Sequence, residues 1–230
     1  MKILLIDTET TGLKDPQVIE VSGIYLNDDL TLNSEFSVRY KPTKDIELQA
    51  MIKHGITEED LINEKEYDFK LPENIKYLIG HNVDFDWLMI GKPEVKLIDT
   101  MSMARSIWPE AQMSLEYLTY YLTEKSKYKK LIELIRENLH SSIFDCKLTF
   151  NLLKKIIENT NADNIEKLYE LSERSRIIDK MPYGKHKNVL LTEVPIEYLL
   201  WLYNELIIKD SILDKQLTTA IKTELDRRQL

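Results

Sequence analysis

The first candidate chemical groups are two carboxylates, Asp7 and Glu9, which follow the apolar run at residues 3–6. Side chains two residues apart on a strand point to the same face of a sheet, so a strand here would place both carboxylates together. Carboxylates that close repel each other unless a cation lies between them. The end of a central strand is also where open α/β sheets bind ligands. The pair indicates a cation site, although Glu64 and Glu66 share its spacing and a strand end in solvent is the alternative.

Two later segments add two carboxylates and a histidine. Asp86 ends the segment at residues 80–86, and Asp145 follows His140 by five residues. On one continuous helix, five residues separate two side chains by about 140°. We therefore predict that His140 lies in a loop before the helix that carries Asp145. The spacing alone is weak, because His81 and Asp86 share it and the helix dipole favours an acid in a first turn.

Hydrophobic periodicity predicts the elements that must position these residues. Short runs rich in β-branched and aromatic residues predict five strands, at residues 2–9, 17–26, 34–40, 76–80 and 95–98. Helical spacing and capping signals predict helices at residues 47–54, 57–62, 83–90, 99–108, 114–122, 127–139 and 142–157. Three antiparallel strands, two strand–helix units and a closing helix make a mixed α/β layer fold.

The pattern changes from about Ile165, and we expect two domains, at residues 1–171 and 172–230. The predicted elements of the second domain are a turn-rich segment at residues 182–186, a strand at 189–192, and helices at 195–206 and 211–228. Its segment at residues 183–187 combines aromatic and basic side chains, a combination that can contact a nucleic-acid strand. The sequence assigns this domain no other role.

Composition limits the class of protein. The 230 residues, 43% of them hydrophobic and 30% charged, are typical of a soluble globular protein. No apolar run has the length of a membrane span. The single cysteine, Cys146, fits a reducing cytoplasm. The net charge of −8 argues against a broad basic surface for duplex nucleic acid, but not against a metal-dependent nuclease, because bound cations reverse the local field that a phosphate meets.

The order of the candidate residues is more specific than any one of them. Along the chain the set reads Asp7 and Glu9, then Asn82, Phe85 and Asp86, then His140 and Asp145. In this order it resembles the DEDDh family of 3′→5′ exonucleases, and residues 51–57 resemble a segment that lines the substrate cleft in that family. The resemblance spans residues 1–157. It implies an RNase H-like mixed five-stranded sheet flanked by helices, here followed by a small, mostly helical C-terminal unit.

The resemblance also implies a two-metal site at the end of the first strand. Two Mg²⁺ ions, replaceable by Mn²⁺, would be held by Asp7, Glu9, Asp86 and Asp145, with Asp7 bridging and His140 as the general base. Hard oxygen ligands suit these ions. The substrate-binding residues expected from it are Thr8, Thr10, Gly12, Leu13 and His54. Leu13 would stack beside the terminal base or act as a wedge at a duplex end, and a turn residue closing over the core is the alternative.

The implied activity is hydrolysis of DNA, as single strands and duplex 3′ ends, to nucleoside 5′-monophosphates. Two alternatives stay open. The same active site could trim RNA, since discrimination depends on pocket contacts to the 2′-hydroxyl. The chain could also be an inactive nucleic-acid-binding module, although the intact set of five catalytic residues argues against that. The resemblance implies DNA rather than RNA as the partner. The sequence predicts no membrane partner and leaves the oligomeric state open.

Overall fold

The structure, a computed structural model, describes residues 2–138, 141–208 and 215–228. The chain folds into two compact units, Met1–Ser172 and Glu173–Leu230, which we call the N-terminal and C-terminal units. In the described ranges, no helix combines the length and the apolarity that crossing a bilayer requires.

The N-terminal unit contains one mixed five-stranded sheet. The strands are β1 (Ile3–Thr10), β2 (Val18–Leu26), β3 (Leu32–Arg39), β4 (Tyr77–Gly80) and β5 (Lys96–Asp99). Their order in the sheet is β3-β2-β1-β4-β5. The first three strands are antiparallel neighbours, whereas β4 runs parallel to β1 and β5 runs parallel to β4. β1 is therefore central, and it runs past the end of its pairing with β4 at Leu5 and Ile79.

Helices surround this sheet and continue into the C-terminal unit. They are α1 (Leu48–His54), α2 (Glu58–Leu61), α3 (Val83–Met89), α4 (Thr100–Ile107), α5 (Leu115–Tyr121), α6 (Tyr128–Glu137), α7 (Ser142–Thr160), α8 (Ile165–Ser175), α9 (Ile196–Ile208) and α10 (Lys215–Arg227). The mixed sheet flanked by helices confirms the predicted fold class. The structure begins α2 at a capping box in which Thr57 and Asp60 exchange hydrogen bonds.

The two faces of β1 face different helices, because successive side chains of a strand alternate. Ile3 and Leu5 pack in the core beneath α7, together with residues of that helix such as Phe150. Leu4 and Ile6 pack in a second core, together with residues of α3 such as Val83. Residues at odd positions of β1 therefore point to the α7 face of the sheet, and residues at even positions point to the α3 face.

Two predictions from periodicity differ from the structure. Residues 189–192, predicted as a strand, contribute only an isolated bridge between Leu190 and Lys180, followed by a short 3₁₀ helix at Leu191–Glu193. A run of four residues is too short for hydrophobic periodicity to distinguish a strand from a helical turn. Helix α8 lies outside the predicted elements, because charged residues occupy most of its surface around the buried Leu168 and Ser172.

The C-terminal unit has its own apolar core. It is formed by α9, α10 and the segment before them, and its buried members are Met181, Leu191, Val194, Leu199, Leu202, Leu206, Leu217, Ile221 and Leu225. Arg228 closes one end of it, since the guanidinium donates to the carbonyls of Val194 and Leu191 at 3.0 and 2.7 Å. The spacing of three and four residues within α9 and α10 is that of two amphipathic helices packed together.

Gly23 on β2 supplies a test of the packing on the α3 face. A Cβ at this position would lie 2.7 Å from Cε1 of Phe36 and 2.9 Å from Cδ1 of Leu4. We expect Gly23→Ala to lower the free energy of unfolding by about 1–3 kcal/mol, because the added methyl has no space. Urea unfolding measures the change. The double variant G23A/F36L should recover part of the loss by making room, and equal stability of single and double variants would contradict the packing argument.

Candidate active site

Three carboxylates converge at the end of β1. Asp7 and Glu9 occupy odd positions and so point to the α7 face, and Asp145 lies in the first turn of α7. One oxygen from each of these three half-buried side chains lies within 4.8 Å of the other two. In the part of the chain that the structure describes, this is the one group of three or more potential metal ligands.

Burial and mutual repulsion make Asp7 and Glu9 hard to ionise. Burial raises the pKa of Asp7 well above its ordinary value, and the charges of Asp86, Glu9 and Asp145 raise it further. Burial raises the pKa of Glu9 to about 8 although the ammonium group of Lys53 lowers it. Removing a carboxylate from water disfavours its charged form, and like charges nearby do the same. The site therefore lacks positive charge, and a bound cation would relieve the repulsion.

Asp86 reaches the same strand end from the opposite face of the sheet. It lies on α3 and accepts two hydrogen bonds from Thr8, which occupies an even position of β1. The Thr8 amide donates to Oδ1 of Asp86 at 2.9 Å and the Thr8 hydroxyl donates to the same atom at 2.7 Å. Burial raises the pKa of Asp86 to about 7, against these hydrogen bonds. Thr8 therefore fixes Asp86 beside the three converging carboxylates, and both of its donors are engaged in doing so.

A buried polar network ties the start of α7 to β2. The Ser142 hydroxyl, at the first residue of α7, donates to Oε2 of Glu20 and lies 2.6 Å from the hydroxyl oxygen of Ser22. The other oxygen of Glu20 accepts from Nε of Arg39 at 3.0 Å. Glu20 is the sheet partner of Glu9. The network therefore fixes the start of the helix that carries Asp145 relative to the strand that carries Glu9.

Sequence reasoning missed two of these groups, Lys53 and Glu20. The positive charge of Lys53 lowers the pKa of both Glu9 and Asp86. Lys53 could have been identified in the sequence as a basic residue within residues 51–57, the segment that the family resemblance places in the substrate cleft. The signal for Glu20 was a charged residue in the middle of the apolar strand β2, where burial requires a partner.

The loop after β1 is held by Glu47, the residue before α1. The Glu47 amide donates to the carbonyl of Thr11 at 2.7 Å, and the Lys14 amide donates to Oε1 of Glu47 at 3.3 Å. Gly12 has φ of +150°, and a Cβ there would overlap the carboxylate of Glu47, so another residue would be strained at this position. The Thr10 hydroxyl donates to the Gly12 carbonyl at 3.0 Å. This arrangement leaves Leu13 at the tip of the loop, with 72% of its surface exposed.

The histidines occupy different environments. His54 is only 2% exposed, and its Nδ1 accepts from the amide of Ile56 at 3.0 Å, so it has little surface to offer a nucleotide. His81 contacts Thr100 and the carbonyl of Met113 through its two ring nitrogens, and burial lowers its pKa. It therefore has a structural role between β4 and α4. His140 lies outside the described residues.

Comparison with known proteins decides the class of this site. A family profile described as Exonuclease matches residues 4–153, which include all four candidate carboxylates and His140. The chain belongs to this exonuclease family. It is therefore a nuclease, a hydrolase of phosphodiester bonds. A second profile, described as "Putative quorum-sensing-regulated virulence factor", matches residues 166–226.

Individual relatives agree with the family. Exodeoxyribonuclease 10 of Escherichia coli strain K12 is 28% identical over 207 residues, which are 88% of this chain and 90% of the relative. DNA polymerase III subunit epsilon of Rickettsia typhi is 31% identical over 140 residues, 51% of this chain and 61% of that one. A solved structure of exonuclease X in complex with 5′ overhanging duplex DNA is 23% identical and superposes with a TM-score of 0.56, over 74% of this chain and 99% of that one. That likeness confirms the RNase H-like fold.

The exonuclease family implies a divalent metal, and the donor set of this chain fits one. All the converging ligand atoms are carboxylate oxygens, which hard cations prefer over nitrogen or sulfur. The raised pKa values of Asp7 and Glu9 show that the fold brings these oxygens together at an electrostatic cost that a cation would offset. Asp7, Glu9 and Asp145 would hold such an ion directly, and Asp86 lies beside them.

Removing a carboxylate tests the metal site. In EDTA, Asp145→Asn should raise the melting temperature, because one of the repelling charges is gone. Adding Mg²⁺ should stabilise the unaltered chain, by about 2.7 kcal/mol at a concentration of 100 times its Kd, and should stabilise Asp145→Asn much less. Thermal unfolding with and without Mg²⁺ measures both effects. The matched control is Asp28→Asn, an exposed acid between β2 and β3 that should keep the full metal shift. A full shift in Asp145→Asn would contradict the site.

Removing the Ser142 hydroxyl tests the network beneath the site. Glu20 is 5% exposed, and Ser142→Ala takes one of its donors away. We expect the free energy of unfolding to fall by about 1–3 kcal/mol, the usual cost of a buried acceptor that loses its partner. The control is Ser34→Ala, which removes an exposed hydroxyl on β3 outside this network and should change stability by no more than about 0.5 kcal/mol. Urea unfolding measures the stability of both variants. Equal losses in the free energy of unfolding would show that the buried hydrogen bond of Ser142 contributes no more than an exposed hydroxyl does.

Proposed function

We propose that this chain is a two-metal 3′→5′ exonuclease that removes nucleoside 5′-monophosphates from the 3′ ends of DNA, as single strands and at duplex ends. The observation that supports it most is the convergence of Asp7, Glu9 and Asp145 within 4.8 Å at the end of the central strand. Asp86, held by Thr8, completes the set of four carboxylates. The two units of the chain would be an exonuclease domain and a small C-terminal domain.

The proposed ions are Mg²⁺, with Mn²⁺ able to replace it. Asp7, Glu9 and Asp145 would hold the first ion, and Asp7 and Asp86 would hold the second. The supporting geometry is that Glu9 and Asp145 share one group with Asp7, whereas Asp86 stands at its side with Oδ1 already accepting two hydrogen bonds. Two such ions stabilise charge on the attacking and leaving oxygens of an in-line displacement at phosphorus.

The side chains would do the remaining work. His140 would take the proton from the attacking water, since a histidine titrates near neutrality and does not compete for a hard cation. As water attacks phosphorus, the bond to the 3′-oxygen of the preceding nucleotide breaks and the terminal nucleotide leaves with its 5′-phosphate. Lys53, whose charge acts on Glu9 and Asp86, would meet the charge of the same phosphate.

The proposed substrate contacts come from the loop after β1. Backbone groups near Thr10 and Gly12 would approach the terminal 3′-hydroxyl, and the exposed Leu13 would lie beside the last base or enter a duplex end. The Thr8 donors are engaged by Asp86, so Thr8 would act through that carboxylate. His54 is buried, and a nucleotide contact by it stays a prediction from the sequence.

DNA is the proposed substrate because of the relatives. Exodeoxyribonuclease 10 is similar along most of both chains, and the structurally similar exonuclease X was solved with duplex DNA. RNA trimming by the same carboxylates remains the second candidate function. A cytoplasmic location is proposed from the single buried thiol of Cys146, which fits a reducing compartment.

Labelled oligonucleotides test the activity and its polarity. With Mg²⁺, 5′-labelled single-stranded DNA should shorten stepwise from its 3′ end and release mononucleotides, and EDTA should stop the reaction. His140→Ala should lower kcat by about 10²–10⁴-fold, the usual contribution of a general base. Asp7→Asn should lower kcat by at least as much. Asp28→Asn serves as the matched control for Asp7→Asn and should retain normal activity.

Three further results decide the details. An oligonucleotide blocked by a 3′-terminal phosphate should resist degradation, because the active site would bind a free 3′-hydroxyl. RNA of the same sequence should be cut more slowly than DNA, and faster cutting of RNA would favour the second candidate function. Near-normal activity in His140→Ala or Asp7→Asn would overturn the proposed mechanism.

A further inference from the structure

The C-terminal unit displays a row of aromatic rings on its surface. The His186 and Tyr198 rings have centroids 4.6 Å apart at 73°, and the Tyr198 and Trp201 rings have centroids 5.4 Å apart at 50°. Trp201 is 54% exposed and Tyr183 is 42% exposed. We call the three contacting rings, together with Tyr183 of the loop that packs on Tyr198, the aromatic ledge. Single exposed apolar side chains are ordinary on a protein surface, but a contiguous exposed group of large rings is typical of an interaction site.

The loop that carries half of the ledge is held in one conformation by its backbone. The Asn188 amide donates to the Met181 carbonyl at 2.8 Å, and the Met181 amide donates to the Val189 carbonyl at 2.9 Å. Met181 itself is fully buried in the core of the unit. Gly184 has φ of +78°, and a Cβ there would lie 2.9 Å from the Tyr198 hydroxyl. The loop is therefore fixed at its base and packed closely on α9, so the ledge is already formed without a ligand.

The cations beside the ledge are not neutralised. Lys180, Lys185 and Lys187 are exposed, and among the described residues none of them forms a salt bridge. Several lysines of the N-terminal unit are paired, since Lys96 pairs with Glu166 at 2.9 Å and similar pairs engage Lys147 and Lys167. Others, such as Lys129 and Lys130, are exposed and also lack a salt bridge among the described residues. Residues 173–230 contain ten Lys or Arg against nine Asp or Glu, whereas residues 1–172 contain 21 against 30. The basic loop therefore stands out in an acidic chain.

We propose that the aromatic ledge binds single-stranded nucleic acid, with bases stacked on Trp201 and Tyr183 and phosphates against Lys185 and Lys187. Stacking of this kind tolerates any base, because every base presents a π-face. Lysine ammonium groups that lack a carboxylate partner favour a polyanion over a neutral partner. Unpaired bases are required, since a duplex keeps its base faces stacked inside.

An acidic side chain indicates the side on which the backbone runs. Glu197 is four residues from Trp201 on α9, so it lies on the same helix face as that ring. Its exposed carboxylate repels phosphates along that face. The strand's phosphates must therefore follow the basic loop while its bases lie over the rings. This proposal rests on the proposed function only in taking nucleic acid as the ligand, and it adds a binding surface outside the active site.

Binding measured without catalysis tests the ledge directly. The probe is 5′-fluorescein oligodeoxythymidylate of about 20 nucleotides, enough for one such site. The full chain is titrated in EDTA, and fluorescence anisotropy gives Kd over a range of salt concentrations. We expect Trp201→Ala to weaken binding about tenfold with little change in the salt dependence, because a stacking contact is lost. Trp201→Phe should recover most of the affinity.

The lysines should change the salt dependence instead. K185A/K187A should reduce the slope of log K against log salt by about 1.4, since each phosphate contact on a single strand contributes about 0.7. The matched control is K2A/K76A, which removes two exposed lysines at the amino ends of β1 and β4. Leu200→Ala, an exposed aliphatic on α9, is the control for Trp201→Ala. Both controls should keep the affinity and the slope of the unaltered chain.

A second substrate separates failure of the ledge from failure of the active site. The p-nitrophenyl ester of thymidine 5′-monophosphate needs only the active site, so its hydrolysis with Mg²⁺ should be equal in the unaltered chain, Trp201→Ala and K185A/K187A. Loss of ester hydrolysis in the unaltered chain would overturn the proposed function alone. Unchanged Kd and salt slope in both ledge variants, with normal circular dichroism, would overturn the ledge proposal alone, and the surface would then fit a protein partner.

Discussion

Repulsion among carboxylates is the constraint on which the rest of the N-terminal unit depends. Asp7, Glu9 and Asp145 approach within 4.8 Å in a partly buried site, where burial and neighbouring charge raise the pKa of Asp7 and Glu9. Such a group would separate if its supports were soft. Each carboxylate is therefore placed by a rigid element: two by the central strand of the sheet, and the third by the first turn of a nineteen-residue helix whose start is fixed by Ser142.

Because side chains alternate between the two faces of β1, the strand contacts α7 on one face and α3 on the other, and each helix contributes a carboxylate to the site. Odd positions carry Asp7 and Glu9 to the face of α7, where Asp145 lies, and the neighbouring even position carries Thr8 to the face of α3, where it binds Asp86. A shift of one residue in the register of β1 would exchange these faces. It would also turn Leu4 and Ile6 away from the core that they share with α3. The apolar residues at the start of the strand thus fix the direction of the carboxylates at its end.

Sequence patterns of short range predict the secondary structure but not the tertiary contacts of the site. The five strands, most of the helices and the shared face of Asp7 and Glu9 follow from periods of two and of 3.6 residues. The convergence of Asp145 on that pair does not, because it depends on how α7 packs across β1 and β2. The roles of Lys53 and Glu20 depend on tertiary contacts in the same way. The requirement that α7 start after position 140 is met, since α7 begins at Ser142. The position of His140 lies outside the described residues.

The net negative charge of the chain opposes contact with a nucleic acid. A chain of charge −8 must act on a polyanion, and its N-terminal unit carries all of the excess negative charge, with 21 Lys or Arg against 30 Asp or Glu. Cations bound by the carboxylates would reverse the field only locally, because screening limits their reach to about 8–10 Å at physiological salt. Attraction beyond that distance has to come from lysines without carboxylate partners. Lys180, Lys185 and Lys187 are among the described lysines of this kind, and they share one segment with the exposed ring of Tyr183. The proposed strand-binding cations therefore belong to the unit that does not carry the converging acids.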